Sequence, residues 1–119
     1  MNTVTLNETV QVSADASQVE LSVVVGNRQY GTILVVIDGN VVTQGSIITD
    51  YVLGSASDLN GKQVIVRSVV NDVNTATNMT TMKYTFDDGT NTKNFKATGE
   101  VEEDFAMIGY VATFTISAS

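Results

Sequence analysis

From Ile108 to Ile116 apolar and polar side chains alternate, with Ile108, Tyr110, Ala112, Phe114 and Ile116 on one face and Thr113, Thr115 and Ser117 on the other. A period of two is that of a strand with one dry and one wet face. Met82, Tyr84 and Phe86 alternate in the same way with Thr81, Lys83 and Thr85. Other stretches are apolar on both faces: Ile33-Leu34-Val35-Val36-Ile37, Val64-Ile65-Val66, and the start of the last strand, where Phe105, Met107 and Val111 add apolar groups to the second face. A sandwich buries one face of each sheet, so doubly apolar strands call for a further cover, either a third element or another molecule. Ile33, Val35, Ile37, Phe105, Met107 and Val111 are therefore the candidate interface residues.

The pattern predicts strands near residues 3–12, 18–25, 31–37, 41–53 with a break at Gly45, 62–73, 79–87, 90–98 and 105–117. Clusters of Gly, Asn, Asp and Ser separate them, and no long helix is expected. Val and Thr together supply 35 of the 119 residues, and a branched Cβ favours the extended backbone. Short strands at this spacing predict an all-β fold, an antiparallel β-sandwich of seven to eight strands, immunoglobulin-like or jelly-roll. Leu59-Asn60-Gly61-Lys62-Gln63-Val64-Ile65-Val66, followed by Val69-Val70-Asn71-Asp72 and Met82-Lys83-Tyr84-Thr85-Phe86, resembles in rhythm the immunoglobulin-like modules of bacteria and phages, without a motif specific to a family. With no repeat or linker, residues 1–119 read as one domain. The absence of proline leaves the sheet edges without one of the usual blocks to strand pairing.

Two turn signals carry the candidate chemistry. Asp38-Gly39 and Asp88-Gly89 each sit between strand-like runs, where a two-residue turn needs positive φ at both positions. In FDDGTNTKNF such a turn at Asp88-Gly89 places Phe86 opposite Asn91, Tyr84 opposite Lys93 and Met82 opposite Phe95. An EF-hand loop counted from Asp87 fails, because its sixth position is Thr92 rather than glycine and its twelfth is Thr98 rather than glutamate. The remaining metal candidates are Asp38, Asn40, Asp87, Asp88 and Asn91, which form a calcium site only if the two hairpin ends meet. Arg28 and Tyr30, in a glycine-flanked turn, are the candidates for loop recognition. The acidic run Glu100, Glu102, Glu103 and Asp104 reads as a solvated connection that guards the hydrophobic strand after it. Asn78-Met79-Thr80 and Asn7-Glu8-Thr9 fit the glycosylation acceptor pattern.

Composition removes most other functions. Thirteen acidic against six basic residues give a net charge of -7, which repels a phosphate backbone and excludes nucleic acid as the expected partner. No apolar run has the length of a membrane span. Histidine and cysteine are absent, so Ser-His-Asp and Cys-His nucleophile arrangements, thiolate chemistry and disulfides are excluded. No cofactor is implied and no enzyme is expected. The expected function is a non-catalytic structural or protein–protein interaction module, with self-assembly into a homo-oligomer through sheet faces or edges as its expected mode. The alternative is a small-ligand or calcium-dependent glycan binder that uses the Asp38 and Asp87 hairpin ends with Tyr30.

Overall fold

The structure, a computed structural model, describes residues 2–119; Met1, part of the expected domain, lies outside them. It is a two-layer β-sandwich of nine strands: β1 (Asn2–Val12), β2 (Val19–Val25), β3 (Tyr30–Ile37), β4 (Asn40–Gly45), β5 (Ile48–Gly54), β6 (Gln63–Asn71), β7 (Met79–Asp87), β8 (Thr92–Glu100) and β9 (Met107–Ala118). The expected break at Gly45 separates β4 from β5. One sheet runs β1-β9-β6-β3-β4 and the other β5-β2-β7-β8. All pairings are antiparallel except the one between β1 and β9, which is parallel and continuous from Asn2↔Ile108 to Val12↔Ala118. The one helix among the described residues, α1 (Ala56–Leu59), is a single turn capped by Ser55, whose Oγ accepts from Asp58 N at 3.2 Å. No described helix is long and apolar enough to cross a membrane.

The alternation sets the core. Ile108, Tyr110, Ala112, Phe114 and Ile116 of β9 face Met82, Tyr84 and Phe86 of β7 across one buried cluster. Phe114 lies at its centre, with ring centroids 5.1 Å from Tyr84, 4.9 Å from Phe86 and 5.3 Å from Phe95. Such spacings favour offset and edge-to-face packing. At Gly99 of β8 the neighbouring side chains leave no room for a Cβ, which would stand 2.5 Å from Ile108 Cδ1 and 2.9 Å from Val4 Cγ2. A side chain there would overpack the join between β8 and the β1–β9 pair.

The doubly apolar strands prove asymmetric. Ile33 and Val35 are fully buried in the chain's own core and Ile37 is half-buried against it, which corrects their assignment as interface residues. With period-two geometry the opposite face of β3 carries Leu34 and Val36 instead.

The two Asp-Gly turns also differ. Asp38 and Gly39 have φ of 52° and 79° and join Ile37 directly to Asn40, so this is the tight two-residue hairpin. At the second turn only Gly89 has positive φ, the strands close at Asp87↔Thr92, and the loop has four residues. Tyr84 is consequently opposite Phe95 and Met82 opposite Ala97, a shift of two from the register expected for a two-residue turn. A shift of two leaves every side chain on its expected face.

Candidate functional site

The four-residue turn is explained by Asp88. Its Oδ1 accepts from Thr90 N at 2.9 Å and Asn91 N at 2.7 Å, while Oδ2 accepts from Ser13 N at 2.9 Å. The side chain thus folds the turn onto itself and ties it to the residue after β1. The amide of Asn91, then those of Ser13 and Thr90, hold the Asp88 carboxyl below its ordinary range against the opposing effect of burial. Both of its oxygens are already engaged by amide protons. Asp87 likewise accepts from Gly89 N at 2.8 Å.

Asp38 sits at the same end of the sandwich but in another loop. Its Oδ2 pairs with Lys62 Nζ at 3.1 Å in the open, and Asn40 donates to the carbonyl of Asp38. Ile37 aligns with Val64 of β6, β6 is followed by β9, and β9 by β1, so two strands intervene between the Asp38 turn and the Ser13–Asp88 tether. Asp38 and Gly39 line one depression, and Asp88 and Asn91 line another. Among the described residues no three carboxylates converge in a way that could hold a metal. Tyr30 begins β3 and Asp38 follows its end, which puts them at opposite ends of the sandwich, about 25 Å apart at the rise of a strand. The composite glycan site of Asp38, Asp87 and Tyr30 is therefore not assembled.

What the structure does bring together is the outer face of the five-stranded sheet. Strand register aligns Tyr30, Asn71 and Met107 in one row. The next row is Thr32, Val69, Gly109 and Thr3, and the third is Leu34, Arg67, Val111 and Thr5. Val41, Val36, Ile65 and Thr113 follow. Where Gly109 contributes no side chain, the second and third rows frame a depression of about 290 Å³. Tyr30, Val41 and Met107 are each more than half exposed beside it. Of the thirteen carboxylates, none occupies an outward position on these rows, and Arg67 is the only charge there.

Tyr30, expected to act in loop recognition, thus shares one surface with the interface candidates Met107 and Val111. Phe105, 71% exposed with φ 65°, precedes Met107 at its margin, and Arg28, φ 56°, lies in the turn before Tyr30. That turn is held from beneath by Gln29, a buried side chain that sequence pattern did not single out. Its Oε1 accepts from Val73 N and Asn74 N, each at 2.8 Å, and its Nε2 donates to Thr77 O at 3.3 Å and Met79 O at 3.1 Å. Asn27 adds a 2.8 Å bond to Thr81 Oγ1. Nothing in the run Gly26-Asn27-Arg28-Gln29 distinguishes a buried amide from an exposed one, because the bonded groups lie more than forty residues away.

Comparison of the chain with protein-family models, with curated proteins and with solved structures gives no match.

Proposed function

We propose that this sandwich is a non-catalytic assembly module that joins a second copy of itself through the outer face of its five-stranded sheet. The observation that carries the reading is the absence of carboxylates from that face in a chain of net charge -7. Two such chains repel each other through most of their surfaces, and the face without acid is where they approach at least electrostatic cost. Its apolar rows supply area to remove from water. The face also offers both halves of a fit: Met107 protrudes, and the depression at Gly109 can receive a side chain of that kind. In a twofold dimer each copy presents the same patch, so one protrusion and one depression per chain suffice.

Native mass spectrometry and light scattering across a concentration series test this, with Val69→Glu as the variant. Val69 is 38% exposed at the middle of the face, so a carboxylate there reaches water in the monomer and is trapped in the dimer. The expected result is a dimer for the wild type and a monomer for Val69→Glu. A wild type that stays monomeric at every concentration overturns the proposal.

A further inference from the structure

At the Tyr30 end of the sandwich, away from both Asp-Gly hairpins, two loops meet: residues 72–78 between β6 and β7, and residues 101–106 between β8 and β9. Backbone bonds lock them together. Asp72 N donates to Ala106 O at 3.0 Å, Phe105 N to Asp72 O at 2.8 Å, and Val101 N to Asn78 O at 2.9 Å. Between the loops lie the side chains of Asp72, Asn78 and Asp104.

Asp72 is fully buried, and its Oδ1 has no hydrogen-bond partner. One terminal atom of the Asn78 amide lies 2.8 Å from Asp72 Oδ2 and 3.0 Å from Asp104 Oδ1. With nitrogen at that position, Asn78 donates to both carboxylates; with oxygen there, three acceptors from three side chains crowd one point. Neither orientation supplies a partner for Asp72 Oδ1, and neither supplies positive charge. The only ion pair among the described residues is that of Lys62 with Asp38. A carboxylate removed from water without a counter-charge, facing a second carboxylate, is among the costliest arrangements in a protein interior. One hard divalent cation would resolve all of it, accepting both oxygens of Asp72, the amide oxygen of Asn78 and a carboxylate oxygen of Asp104, with water completing the shell.

From the unpartnered buried oxygen of Asp72 and the Asn78 amide and Asp104 carboxylate gathered beside it, we infer that Asp72, Asn78 and Asp104 form a calcium site that clamps the 72–78 loop to the 101–106 loop. All three ligands are oxygens, as calcium requires, and the three backbone bonds hold the loops in place before the ion arrives. Glu102 and Glu103, exposed on the same loop, raise the local concentration of cations at its mouth. The site adjoins the sheet face proposed for assembly, at Asn71 and Phe105, but none of its three ligands lies on the rows of that face.

The test is thermal melting of the full chain in calcium chloride and in EGTA, with native mass spectrometry of the calcium-treated sample. An ion bound only by the native state must raise the melting temperature. The wild type should melt several degrees higher in calcium and carry one calcium per chain. Asp104→Asn, a change at an exposed position, should bind calcium at least tenfold more weakly and lose most of the shift. Asp38→Asn should keep it. Identical wild-type melting in calcium and EGTA with no added mass overturns the inference. A calcium shift retained in Asp104→Asn but lost in Asp38→Asn overturns it equally, by moving the ion to the hairpins.

Discussion

Tyr84 and Tyr110 are both buried on the inward faces of their strands, and removing the hydroxyl from each should move stability in opposite directions. The Tyr84 hydroxyl has no hydrogen-bond partner. Burial, and secondarily the neighbouring Tyr110, raises its pKa far above the ordinary phenol value, so the group stays protonated and uncharged. An unpaired buried hydroxyl costs about 1–3 kcal/mol. Tyr84→Phe recovers part of this while keeping the ring against Phe114, less the packing lost with one atom, for an expected gain of 0 to about 1 kcal/mol. Tyr110 differs. The hydroxyl of Thr80 donates to Gly99 O at 3.0 Å, so in the short bond between Thr80 and Tyr110 it is Tyr110 that donates. Tyr110→Phe loses this bond, while Thr80 keeps its own donor contact. The expected cost is about 1 kcal/mol. For a chain of this size each kcal/mol corresponds to roughly 4 °C. Circular-dichroism melts run in parallel, with urea midpoints as a second measure, should place Tyr84→Phe at or above the wild type and Tyr110→Phe about 4 °C below it. Equal losses in the two variants would refute the reasoning, because they would mean that the Tyr84 hydroxyl is satisfied.

Gln29→Ala removes four hydrogen bonds to the 73–79 segment, and at about 1 kcal/mol each, less what water restores, the loss should be roughly 3 kcal/mol; hydrogen exchange should show the amides of Val73 and Asn74 deprotected first. The folded-state pKa of Asp88 is depressed, so its contribution is fully present above the unfolded value near 3.8 and is lost as pH falls through the folded one. Asp88→Asn keeps an oxygen for Thr90 and Asn91 but not the charge, and its melting deficit against the wild type should shrink between about pH 5 and about pH 2. A deficit that stays constant over that range would detach the stabilisation from the charge.

The sandwich was legible in the sequence because its evidence is local: β9 and β7 alternate cleanly, and Val, Thr and the Gly and Asp turns mark the strands. The Asp38-Gly39 hairpin was legible for the same reason. The register after Asp88 was not, since it depends on a tether to Ser13, 75 residues away in sequence. Strands apolar on both faces gave no local sign of which face turns inward. Ile33 and Leu34 are both aliphatic, and only pairing with β6 and packing on the other sheet bury the first and leave the second outside. The outer face itself was half visible, since Met107 and Val111 stood out as interface residues and Tyr30 as a loop residue, but only strand order aligns the three. Asp72 carried no signal at all. Asn78 stood out solely as part of a glycosylation triplet, and Asp104 as one charge in an acidic run, because the contact between them is made by two loops distant in the chain.

The parallel pairing of the first and last strands has a mechanical consequence. β1 starts beside Ile108 and β9 finishes beside Val12, so a pull that drew the start of β1 and the finish of β9 apart would slide the two strands along each other. All eleven residues of β1 would then share the load at once, as in a lap joint, instead of opening one bond at a time as a zipper does. Resistance of that kind is governed by the rate of unfolding, and it would keep the domain folded under tension out of proportion to its equilibrium stability.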